Sequence, residues 1–163
     1  MTRPRARAPK GKRAYGKVPR NRGKNTTLIA SMTPLGGAMG ASMAVEGATD
    51  KEAFEAYVEH FLAPTLEEGQ LVVMDKLGAH RTQKVRELIE ERGAKLWLLP
   101  SYSPDLNPIE EAFSKIKALL KKAKARTREA LLQELAGALG ALTPEDAKGW
   151  FAHCGYGTEA QPS

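Results

Sequence analysis

Apolar and polar positions alternate in short, well-separated blocks. Thr26 to Met32 is β-branched and apolar, which predicts a strand. Pro34-Leu35-Gly36-Gly37 is turn chemistry, and Ala38 to Val45 is expected to return as a second strand. Thr49-Asp50-Lys51-Glu52 has capping-box spacing. Phe54, Tyr57, Val58, Phe61 and Leu62 then follow the period of an amphipathic helix, with Pro64 near its end. Gln70 to Asp75 is an apolar strand closing on a carboxylate. Val85, Leu88 and Ile89 mark a helix that Gly93 ends, and Lys95 to Leu99 is another apolar strand. Asn107-Pro108 predicts a helix start, with Asn107 as the cap and the proline at the first helical position. Ile109, Ala112, Phe113, Ile116 and Leu119 or Leu120 form its apolar face. Leu131, Leu132, Leu135 and Leu139 predict a further helix, and Thr143-Pro144 opens a last one ending near Trp150-Phe151.

The strand–helix–strand run from Gln70 to Leu99 has about the minimum length of a parallel crossover. Both strands are apolar along their length, as expected where helices cover both sheet faces. In such α/β sheets chemistry collects beyond the carboxyl ends of the strands. Asp75 and the loop Pro100–Pro108 belong at that edge.

Of 163 residues, 42% are hydrophobic and 27% charged, an ordinary globular balance. The longest apolar runs, such as Leu71-Val72-Val73-Met74, are too short to cross a bilayer, and no apolar stretch follows the basic N-terminus as a secretory signal requires. The one cysteine, Cys154, has no internal disulfide partner, and no Cys/His cluster has zinc spacing. A reducing cytoplasm is the simplest compartment.

The formal charge of +6 is unevenly spread. Residues 1–24 carry ten Lys/Arg and no acid, leaving 15 basic against 19 acidic residues elsewhere. Residues 115–128 carry seven more cations, from Lys115 to Arg128, and no acid. Segregated positive charge suits a polyanion such as nucleic acid. A solvated tail and a solvated helix face account for it equally well. The expected organisation is a basic arm over residues 1–24, one domain over 25–156 and a loose tail over 157–163.

Two carboxylates stand out. Asp75 leaves a buried strand, and Glu110 falls in the first helical turn after Ser103-Pro104-Asp105-Leu106-Asn107-Pro108-Ile109. The 34 residues between them include one complete strand, so the crossover returns the chain to the same sheet edge, where the two can converge. Paired carboxylates are hard oxygen ligands for Mg²⁺ or Mn²⁺, and two such ions can activate an attacking oxygen and stabilise a leaving one on phosphorus. Each residue also has a plain structural role open to it. Glu110 is placed to close a capping box with Asn107, and Asp75 to cap the loop after its strand. Asp105 reads as a turn residue. His80, five residues after Asp75, can reach the site edge or be a surface histidine. His153 beside Cys154 reads as packing or surface.

Val73-Met74-Asp75-Lys76-Leu77-Gly78-Ala79-His80 and Leu98-Leu99-Pro100-Ser101-Tyr102-Ser103-Pro104-Asp105-Leu106-Asn107-Pro108-Ile109-Glu110 resemble the catalytic half of DDE transposases, in the bacterial insertion-sequence branch of the mariner-like superfamily. The spacing of Asp75 and Glu110 is similar to that group's, and milder resemblance runs from Arg7-Ala8-Pro9-Lys10-Gly11 to Tyr156. The resemblance implies a ribonuclease H-like mixed sheet flanked by helices, a two-metal Mg²⁺ or Mn²⁺ site, and DNA cleavage with strand transfer. It makes Asp75 the second and Glu110 the third acid of the triad, both metal ligands.

Two departures matter. The family's first aspartate precedes the segment that resembles Arg7–Gly11, whereas the first acid here is Glu46. The family's residue after the middle aspartate is asparagine, and here it is Lys76. The expectation is therefore a C-terminal catalytic-domain part, with an incomplete metal site and little activity alone. Its expected partners are DNA (insertion-sequence ends and target), a complementary N-terminal transposase chain and, as one arrangement, a second copy of itself. A bacterial, nucleoid-associated location and no membrane follow from that. Residues 110, 114, 117 and 121 share one helical stripe, so Lys117 and Lys121, with Lys76 and His80 nearer Asp75, are the candidate DNA contacts. The alternative is a non-catalytic basic DNA-binding remnant of a transposase.

Overall fold

The computed structural model describes residues 25–34 and 37–157; the basic arm and the residues beyond 157 lie outside the described residues. Strands β1 (Thr26–Met32) and β2 (Met39–Glu46) form an antiparallel hairpin, with Thr26 opposite Glu46 and Met32 opposite Met39. The register slips between Ala30 and Met32. Gly40 sits where the strands crowd, since a Cβ there would lie 2.7 Å from the Ser31 hydroxyl oxygen.

Helix α1 (Lys51–Tyr57) runs on as a π turn, Val58–Leu62, and a 3₁₀ turn, Ala63–Thr65. The expected cap at Thr49 is displaced by one residue. Asp50 accepts from the Ala53 amide at 2.8 Å, while the Thr49 hydroxyl is buried with no partner among the described residues. The Asp50 carboxylate is the oxygen within reach of the free amide, and it takes the place of the hydroxyl. Phe54, Tyr57, Val58 and Leu62 are buried as their spacing predicts, but Phe61 is 42% exposed. The π turn advances fewer degrees per residue than an α-helix, so the apolar stripe drifts off Phe61.

Strand β3 (Leu71–Met74), helix α2 (Gln83–Glu90) and strand β4 (Lys95–Leu98) form the expected parallel crossover, Met74 lying opposite Leu98. Gly93 turns the chain into β4 at φ +71, against the Glu68 side chain. Helices α3 (Ile109–Ala123), α4 (Arg128–Gly140) and α5 (Pro144–His153) complete the order. Thr143 and Asp146 close a reciprocal capping box at the start of α5.

Two cores result. Ile29, Phe54, Tyr57, Val58, Leu62, Met74, Val85 and Ile89 meet in the first, between both sheets and α1–α2. Ala112, Ile116, Leu135, Ala138, Leu142 and Ala147 form the second, beneath α3–α5. Alternation lets β1 serve both cores, Ile29 facing the first and Leu28 and Met32 the second; on β2 the register slip reverses the face, so Met43 packs on the first core and Met39 on the second. The crossover pair differs from expectation. Val72, Met74, Leu96 and Leu98 pack on the first core, whereas Leu71 and Trp97 on the other face are 49% and 59% exposed. Continuous apolar strands here mark a sheet covered on one face only among the described residues.

Candidate functional site

The parallel pairing of β3 and β4 sets the site. The Leu99 amide donates to the Met74 carbonyl at 2.7 Å, so the two strands end together. Asp75 steps off one end, and the loop leading to Glu110 leaves the other. Pairing with β4 holds the backbone up to Met74, so Asp75 follows directly at the carboxyl edge of the sheet.

The Asp75 carboxylate is asymmetrically held. Its Oδ1 lies 2.5 Å from the His80 Nδ1 and accepts from the Leu77 amide at 3.3 Å. His80 Nδ1 is also 3.3 Å from the Asp75 carbonyl oxygen. Oδ2 has no partner among the described residues. The 3₁₀ turn Gly78–Arg81 folds the histidine back, and its ring stacks, tilted, on Phe54 with centroids 4.1 Å apart. The His80 side chain is accordingly 18% exposed, against 41% for Asp75. Lys76 next door is exposed.

Glu110 is exposed in the first turn of α3, its amide donating to the Asn107 carbonyl at 3.1 Å. The capping box open to it does not form. Pro108 occupies the cap position, no side chain caps the helix, and the Glu110 carboxylate has no partner among the described residues. Asp105 lies in the 3₁₀ turn Pro104–Leu106, as its turn chemistry predicts. A residue outside the expected site secures that turn: the Tyr156 hydroxyl donates to the Leu106 carbonyl at 2.8 Å. No local pattern announces this contact, which spans fifty residues. Tyr102 in the same loop is wholly exposed in the left-handed region at φ +60, an uncommon conformation for a side-chain-bearing residue.

Glu110, Ser114, Lys117 and Lys121 are all exposed, as one stripe of α3. The structure separates the basic block by role. Lys115 forms an ion pair with Asp146 of α5 and lies 5.9 Å from the Trp150 ring centroid. Arg128 pairs with Glu46 of β2. The hydrogen bond from Lys115, seconded by the Thr143 amide, holds the Asp146 carboxyl below its ordinary range. Cys154 is buried; burial pushes its thiol up, and Glu111 and Asp105 push the same way, the reverse of what a nucleophilic thiol needs. His153 is exposed.

Asp75 Oδ2 and the Glu110 carboxylate are hard, unengaged oxygens, and Mg²⁺ is commonly held by one or two carboxylates plus substrate phosphates. They suit one such ion in kind. Among the described residues no group of three or more His, Cys, Asp or Glu could hold a metal. No helix among these residues is long and apolar enough to cross a membrane.

Residues 1–132 match the family described as DDE superfamily endonuclease. No curated protein matches the chain. Among solved structures, a Mos1 transposase paired-end complex with left transposon end superposes with a TM-score of 0.69 at 17% identity, over 92% of this chain and 46% of that one. The chain thus spans about half the length of that transposase chain. The shared fold is the ribonuclease H-like α/β arrangement that the family resemblance implied. The chain belongs to the DDE superfamily of endonucleases.

Proposed function

We propose that this chain is a catalytic-domain part of a bacterial insertion-sequence transposase, acting on DNA at transposon ends and target. The observation that carries the reading is Asp75, presented at the carboxyl end of β3 with one free oxygen, beside the strand end whose loop leads to the free carboxylate of Glu110. Asp75 and Glu110 would hold Mg²⁺ or Mn²⁺, which when bound supplies activation of the attacking oxygen and charge stabilisation at phosphorus. Lys117 and Lys121 follow Glu110 along α3 and would contact phosphates without reading bases, and Lys76 would meet a phosphate beside Asp75. DNA as partner is supported by the likeness to Mos1 transposase, whose structure is a complex with a transposon end.

Two carboxylates fall short of a two-ion site, and residues 1–45 contain no acid. The chain alone is therefore expected to cleave poorly, and a complementary transposase chain that contributes a third carboxylate is expected to restore cutting and strand transfer. The test is incubation of the purified chain with Mn²⁺ and end-labelled insertion-sequence DNA, with and without such a chain. Cleavage that depends on the added chain and disappears in Asp75→Ala and Glu110→Ala supports the reading. Cleavage indifferent to both substitutions overturns it.

The ten cations of residues 1–24 and the exposed Lys117 and Lys121 also favour a second reading, a basic DNA-binding module without catalysis. It predicts salt-sensitive binding that survives both substitutions and is lost with residues 1–24.

A further inference from the structure

His80 is set to orient the Asp75 carboxylate. Its Nδ1 faces two acceptors at once, the Asp75 Oδ1 at 2.5 Å and the Asp75 carbonyl oxygen at 3.3 Å. A ring nitrogen flanked by two oxygens must carry the proton, so the neutral imidazole is the Nδ1–H tautomer. That leaves Nε2 with a lone pair, a poor partner for a phosphate oxygen. Packing fixes the ring independently, through the tilted contact with buried Phe54. The Leu77 amide adds a second donor to the same oxygen, Oδ1. One carboxylate oxygen is thereby occupied by two donors and the other turned free.

We infer that His80 is a positioning residue, which locks Asp75 Oδ1 through Nδ1–H and presents Oδ2 alone to a divalent ion. This rests on the reading of Asp75 as a metal ligand. Without the lock the carboxylate rotates about its Cβ–Cγ bond, and the ion meets a mixture of orientations. Hydrogen-bond partners behind metal ligands typically contribute 10–100-fold in affinity.

Two substitutions separate the hydrogen bond from the packing. His80→Phe keeps a ring against Phe54 and removes the donor. His80→Asn loses the ring but carries an amide donor near the Nδ1 position. The full chain is titrated with Mn²⁺ alone, free ion being read by electron paramagnetic resonance. His80→Phe is expected to weaken Mn²⁺ binding about tenfold or more, and His80→Asn to restore most of it. Ring ¹⁵N chemical shifts of the metal-free chain are expected to place the proton on Nδ1. A proton on Nε2 with Nδ1 bare overturns the inference, and this measurement needs no variant to fold. Unchanged Mn²⁺ affinity in His80→Phe, with affinity lost in Asp75→Ala, overturns the positioning role and leaves Asp75 as a ligand. Equal affinity in Asp75→Ala and the unaltered chain overturns the ligand reading and the inference with it.

Discussion

The basic block of α3 provides a discriminating test, because the structure divides residues that are chemically alike. Lys115 is already neutralised by Asp146, whereas Lys117 and Lys121 are exposed on the Glu110 stripe. A lysine that binds a phosphate releases condensed counterions, and each contact adds about 0.9 to the slope of log affinity against log salt. Removing Lys117 and Lys121 together should lower the slope by about 1.8, if both meet phosphate. Over a fourfold rise in salt, from about 50 to 200 mM, the unaltered chain should then lose roughly twelvefold more affinity than the double variant. Lys115→Met, which keeps an apolar stem over Trp150, should leave the slope unchanged. Fluorescence anisotropy with a short labelled duplex across that range reads all three proteins. A slope that falls as much for Lys115→Met as for the double variant would refute the reasoning. An unaltered slope in the double variant would place the DNA elsewhere.

Other outcomes follow from burial and hydrogen bonding. Ile116→Ala opens the second core at a 2%-exposed position and should cost about 2–5 kcal/mol, seen as a melting midpoint roughly 4–20 °C lower; Leu132→Ala, at a half-exposed position, should stay within about 1 kcal/mol, and equal losses would contradict the assigned faces. Tyr156→Phe frees the Leu106 carbonyl and should raise amide exchange at Leu106, Asn107 and Glu110 about 2–10-fold; unchanged rates would mean the hydroxyl does not secure the loop. Burial pushes the Tyr57 hydroxyl up to about 12 from 10.0, so the folded chain keeps its proton where the unfolded chain loses it. The associated stability is fully present below about pH 10 and is lost as pH rises towards 12, an effect on the order of 3 kcal/mol. Urea unfolding of the chain and Tyr57→Phe across that range measures the difference, and parallel curves would sink the assignment.

The order of elements and most buried positions were legible in the residues, because hydrophobic period reports which side of a helix or strand faces inward. The Thr143-Pro144 start and the Gly93 stop were equally plain, since caps depend on neighbours three or four positions away. Local pattern failed where two local candidates competed: Asp50 took the cap offered to Thr49, and Pro108 took the place expected of Asn107. The π turn at Val58–Leu62 shifted Phe61 outward without any mark in the sequence. Tertiary structure alone decided which like residues differ. Lys115 and Lys117 are two positions apart in one basic run, yet only the docking of α5 brings a carboxylate 31 residues away to the first. Leu71 and Met74 belong to one apolar strand, and among the described residues helix placement covers only one of its faces. Type and spacing made the acidic residues candidates; that Asp75 is held on one oxygen by a folded-back histidine depended on a turn and an aromatic ring from another helix. The charge pair of Lys115 is made by a group distant in the chain, and the Asp75 carboxylate is held by near neighbours whose placement depends on a distant ring, Phe54; only the packed fold brings these groups within a few ångströms.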